Sequence, residues 1–105
     1  MVKVEIIRNQ NLIQNIKVWD HAASGEYGFD LVCAGVSAIM IGALNAFDSL
    51  ELPVELSMDP SPMIQIKWLK PHDKQQMMDI IFIQLKTIEE QYSEFIKITE
   101  KEEIQ

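Results

Sequence analysis

Strict alternation of apolar and polar residues, in paired runs, is what most narrows the folds open to this chain. Val2, Val4 and Ile6 alternate with Lys3 and Glu5, and Ile16 and Val18 flank Lys17, on either side of Asn9-Gln10-Asn11. A period of two sends successive side chains to opposite faces of a strand, so this pair reads as a β-hairpin. Val54, Leu56 and Met58 alternate with Glu55, Ser57 and Asp59. Across Asp59-Pro60-Ser61-Pro62, Ile64, Ile66 and Trp68 alternate with Gln65 and Lys67, which predicts a second hairpin.

Each hairpin is followed by a helix signal. Residues 30–49 are apolar, with Asp30 placed to cap a helix and residues 49–53 to end it. After Pro71, Asp73 and Gln76 have capping-box spacing, and Met77, Ile81, Leu85, Ile88 and Tyr92 form a stripe on one helical face. Ile96 and Ile98 alternate with Lys97 and Thr99 as a last short strand, and the charged residues 100–105 are expected to fray. The order ββαββαβ predicts a two-layer α+β domain spanning residues 1–105, a mostly antiparallel sheet covered on one face by two helices.

A length of 105 residues with 48% apolar content suits a single modest core. Asp30, Asn45, Asp48 and Glu51 interrupt or bound the greasiest stretch, so no membrane span is expected. The start Met-Val-Lys-Val-Glu-Ile-Ile lacks the pattern of a signal peptide, and a lone cysteine fits a reducing cytoplasm. Sixteen acidic against nine basic residues give a net charge of −7, and the bases are spread singly along the chain. Nucleic-acid binding is therefore disfavoured, while a basic peptide partner is compatible.

The chemistry-bearing stretch is residues 21–37. His21 follows the second predicted strand, Gly25 and Gly28 punctuate a loop, and Cys33 follows Asp30 at the predicted helix start. A thiol near a helix N-terminus and a histidine has the ingredients of a cysteine nucleophile, because unpaired N–H groups and a cation both favour the thiolate. The Asp30 carboxylate opposes this by raising the thiol pKa. The Cys33 N–H is a candidate oxyanion donor, and Ser37, one turn on, is placed to bond near the sulfur. His21 would take the thiol proton and return it to the leaving amine. Gly25 and Gly28 would let the loop approach a substrate backbone closely.

Taken alone, each feature has a plainer reading. A lone cysteine on an apolar helix is usually a small core residue, His72 beside Pro71 reads as a turn residue, and Asp30 as a cap. Trp19 and Trp68 suit core, dimer contact or a shelf for a substrate side chain. Gly35 and Gly42 each cost about 1 kcal/mol of helix propensity, which implies a close neighbour: the sheet, a second subunit or a substrate strand. No zinc spacing, second cysteine, phosphate loop or nucleophile elbow is present, so neither metal nor cofactor is expected.

Considered together, the initial hairpin, His21-Ala22, Gly25-Glu26-Tyr27-Gly28, Asp30, Val32-Cys33-Ala34, Ser37 and Glu89-Glu90-Gln91-Tyr92 resemble the ribosomal-processing cysteine protease family Prp. The resemblance implies a homodimeric endopeptidase that removes a short N-terminal extension from a large-subunit ribosomal protein. It implies Cys33 as nucleophile and His21 as base and proton donor. One departure stands out, since the family usually has glycine where this chain has Asp20. The rival reading is a non-enzymatic ribosome-assembly or protein-interaction module with an inert Cys33.

Overall fold

A computed structural model describes residues 1–20, 27–59, 63–70 and 73–103. The elements run β1 (Val2–Asn9), β2 (Leu12–Trp19), α1 (Tyr27–Ser49), β3 (Val54–Asp59), β4 (Met63–Trp68), α2 (Gln76–Gln91) and β5 (Ile96–Glu102). The strands form one sheet in the order β3-β4-β2-β1-β5. Both hairpins form as the alternation predicts, and the α+β two-layer expectation holds. The β1–β2 turn places Gln10 and Asn11 at φ 53 and 68, the left-handed pair that matches hairpin twist. β5 joins the edge parallel to β1, so the sheet is mixed.

The alternating apolar residues all serve one face. Val2, Val4, Ile6, Ile13, Ile16, Val18, Ile64, Ile66, Trp68 and Ile96 are buried against Val32, Val36, Met40, Ala43 and Phe47 of α1 and Met78, Ile81 and Leu85 of α2. Fully burying one such large side chain contributes about 1.5–3 kcal/mol, so this shared core is the principal adhesive between the layers. Trp68 lies within it, edge-on to Phe47 at 5.5 Å. Trp19 instead lies half-buried beside the polar side of the sheet.

Several expectations need correction. α1 begins at Tyr27, three residues before Asp30, which therefore lies in the first turn and is not the cap. Gly28 is consequently helical rather than part of a loop. A Cβ there would come within 2.6 Å of Phe95 Cε2, so glycine is required by the close approach of that ring. The second helix is counted from Gln76, after a turn in which the Lys74 and Gln75 carbonyls accept from the Met77 and Met78 N–H groups. Its buried face centres on Met78, Ile81 and Leu85. The C-terminal residues do not fray at 100: β5 continues to Glu102, and the Glu103 N–H donates to the Arg8 carbonyl at 2.7 Å. Finally, an 18-residue stretch within Gly28–Ser49 has a mean hydropathy of 1.7, and the helix is long and apolar enough to cross a bilayer. In this fold one side of it is committed to the sheet.

The close of α2 is tied to the last strand by charge. Glu89 accepts from the Ile98 N–H at 2.6 Å and from Lys86 Nζ at 2.8 Å. Burial alone would raise its pKa, but these two bonds outweigh burial and hold the carboxyl below its ordinary range. The resemblance at Glu89-Glu90-Gln91-Tyr92 thus includes a helix-to-strand tether.

The Phe95 ring also meets Phe29 edge-on, with centroids 6.4 Å apart. Gly28→Ala gains helix propensity of about 1 kcal/mol but must displace a ring held on two sides, at about 1–3 kcal/mol. The expected net result is a loss of about 1 kcal/mol in urea unfolding. A stabilised variant would show that the ring yields freely.

Candidate active site

Cys33 lies on α1 between Val32 and Ala34, and the helix register decides its surroundings. Val32, Val36, Met40, Ala43 and Phe47 are spaced to face the sheet, and Cys33 borders that stripe. The thiol residue is only 2% exposed and is in no disulfide. Ala34 on its other side is exposed, so Cys33 sits where the core face gives way to the helix flank. Ser37 is half-buried one turn further on.

The earlier helix start changes the electrostatics. Cys33 is the seventh residue of α1, not the third. Its amide lies inside the i→i−4 ladder, so it is not a free oxyanion donor, and the helix dipole has faded by the second turn. Burial pushes the thiol pKa up, Asp30 pushes it further, and the N-terminal ammonium opposes them only in part. Among the described groups, burial and the Asp30 charge therefore both disfavour the thiolate. The competition between dipole and carboxylate, open in the sequence, resolves against the thiolate.

Asp20 marks the exit from β2. Its φ of 58 lies in the left-handed region, which glycine enters freely and aspartate more readily than most other side chains. The backbone thus accounts for the usual glycine at this position. The Asp20 carboxylate pairs with Lys3 Nζ at 3.5 Å, across the β1–β2 register.

Of the predicted site residues, Cys33, Asp30, Ser37 and Gly28 fall together on the first three turns of α1. His21 and Gly25 lie outside the described residues, as does His72. Among the described residues, no three histidine, cysteine, aspartate or glutamate side chains are grouped to hold a metal ion. Phe95 was missed from the sequence: it packs at Gly28 at the head of the site-bearing helix, and no local pattern announces a contact between such distant positions.

Comparison with known proteins agrees with this architecture. The profile of the family described as cysteine protease Prp matches residues 1–97. The ribosomal processing cysteine protease Prp of Staphylococcus aureus strain Mu50 is 32% identical over 106 residues, covering 96% of this chain and all of the relative. That of Bacillus subtilis is 28% identical, with 94% and 96% covered. A crystal structure of the S. aureus protease in complex with a substrate peptide superposes with a TM-score of 0.87 at 30% identity, covering 96% of this chain and 100% of that one. The same enzyme with a covalently linked product peptide gives 0.84 at 31% identity and the same coverage. The reading of an assembly module with an inert cysteine gives way here: the chain belongs to the cysteine protease Prp family, whose named relatives are ribosomal processing proteases.

Proposed function

We propose that this chain is a cytoplasmic endopeptidase that removes a short N-terminal extension from a large-subunit ribosomal protein, with Cys33 as nucleophile and His21 as base and proton donor. One observation carries the assignment of the nucleophile. A cysteine protease needs a reactive thiol, and this chain has a single cysteine. The S. aureus relative with its covalently linked product peptide supports a covalent route.

A buried thiol whose pKa is raised sets the order of events. With the pKa raised by burial and by Asp30, little thiolate exists beforehand, so a base must take the proton as sulfur attacks. The imidazole of His21 accepts the Sγ–H proton while sulfur bonds to the scissile carbonyl carbon. Collapse of the tetrahedral intermediate breaks the C–N bond, and the imidazolium protonates the departing amine. Water, deprotonated by the same imidazole, then attacks the thioester, releasing the extension as a carboxylic acid and restoring the thiol.

The active species is a homodimer in this proposal, with α1 in the interface. Among the described residues, a Cβ at Gly42 would meet nothing within 4 Å, so none of them explains that glycine. Ala38 and Ala46 flank it along a groove with Ile80 of α2, which is 56% exposed.

Three outcomes are expected. A synthetic peptide spanning the extension and the mature N-terminus is cut by wild type, and Cys33→Ala and His21→Ala each lose at least about a hundredfold in rate; an intact peptide, or equal cutting by the alanine variants, refutes the dyad. Asp30→Asn removes a charge that raises the thiol pKa, so iodoacetamide labelling at pH 7.5 should speed up roughly two- to fivefold; an unchanged rate refutes the charge effect. Sedimentation equilibrium should give a dimer that Gly42→Trp converts to monomer, and a monomeric wild type refutes the interface.

A further inference from the structure

The two edges of the sheet are not equivalent. β5 is closed, since α2 packs beside it and the Glu89 carboxylate takes its outward Ile98 N–H at 2.6 Å. Among the described residues, nothing takes the corresponding groups of β3. The Pro53 carbonyl accepts from the Leu69 N–H at 2.8 Å, which sets the phase of the β3–β4 ladder. Glu55 and Ser57 therefore bond to β4, while Leu56 and Met58 turn their N–H and C=O groups away from it. Such unpaired groups template the addition of another strand.

The flank of α1 on that side carries the thiol. Gly35 approaches Ile88, and Gly42 and Ala46 border Ile80, so these positions mark the side of α1 turned to α2. At about 3.6 residues per turn, Cys33, Ser37 and Leu44 lie on the opposite flank. Phe47 rests on Trp68 of β4 while α2 packs on β2 and β5, so that flank looks toward β3. Met58, 62% exposed, and half-buried Leu56 share the helix side of the sheet with Ile64 and Ile66, and with Ile41 of α1, 42% exposed, they border an apolar step. β3 runs toward the end of the sheet at which β2 finishes and α1 begins, where Gly28 packs on Phe95 and the Phe95 carbonyl accepts from the Val2 N–H.

We propose that the substrate docks by adding a short, extended, basic segment beside its scissile bond to the open edge of β3. The identity of this occupant rests on the protease reading above; the open edge does not. Charge selects the kind of peptide. No lysine or arginine occurs from Val18 to Ile66, whereas α1, β3 and the turn between them hold Asp30, Asp48, Glu51, Glu55 and Asp59. Lys67, opposite Glu55, is the one cation in register with β3. Unpaired backbone with an acidic rim suits a cationic extended peptide, whose alternate side chains would meet Leu56 and Met58 on the helix side. A second copy of this chain is a poor occupant, because two such edges would set acid against acid.

The test measures fluorescence anisotropy of a fluorescein-labelled peptide spanning the extension and the mature N-terminus, titrated with the full chain carrying Cys33→Ala so that binding is read without turnover. Peptides N-methylated singly at successive amides should lose at least about tenfold in affinity at alternate positions near the scissile bond and less than about twofold between them, because only every second N–H of an added strand reaches β3. In the saturated complex, hydrogen exchange at the Leu56 and Met58 amides should slow at least about tenfold while that at Ile98 is unchanged. Asp48→Lys/Glu51→Lys should weaken binding at least about fivefold at about 50 mM salt, whereas Glu90→Lys/Glu94→Lys, on the far side of α2 and beyond it, should not. The methylation scan alters only the peptide, so it decides the matter even if a charge variant melts abnormally by circular dichroism. Absence of binding at low salt, equal losses at neighbouring amides, or unprotected Leu56 and Met58 overturns the proposal. Cleavage of the unmethylated peptide by wild type is scored separately: cleavage without alternation overturns the docking and leaves the protease reading intact, and alternation without cleavage does the reverse.

Discussion

The seating of α1 on the sheet is the contact on which the other features depend. Val32, Val36, Met40, Ala43 and Phe47 fix the helix rotation, and that rotation draws the adjacent Cys33 to the margin of the core. Desolvation then raises the thiol pKa, with Asp30 adding to the effect. A core contact made for stability thus sets the chemical requirement of the site, which is a base that acts during attack rather than a thiolate waiting beforehand.

The same rotation explains which small residues matter and to whom. Gly28 admits the Phe95 ring and Gly35 lies 3.3 Å, in Cβ terms, from Ile88, so both answer to their own chain. Among the described residues nothing approaches a Cβ at Gly42, which lies along an apolar groove with Ala38, Ala46 and Ile80. The thiol-bearing helix head and the apolar helical groove are therefore distinct parts of the molecule.

Local periodicity made the strands, both hairpins and both helices legible, because alternation and helical spacing are short-range signals. The single cysteine was legible as the candidate nucleophile for the same reason. Helix ends were not: Asp30 looks like a cap, yet Gly28 continues the helix because Phe95 packs on it from the far end of the chain. The parallel docking of β5 on β1 was likewise hidden, being a pairing between the two ends of the chain. With it were hidden the ion pairs Arg8–Glu100 and Lys101–Glu5, whose members become neighbours only once the register is set.

Most direct for the central claim is the ultraviolet absorbance of thiolate followed against pH in the free protein, with Cys33→Ala as the blank. Thiolate should be absent at neutral pH and emerge only above the ordinary thiol value of about 8.5. Substantial thiolate absorbance at pH 6–7 in the resting chain would contradict the account, because sulfur would then be ionised without help from a base.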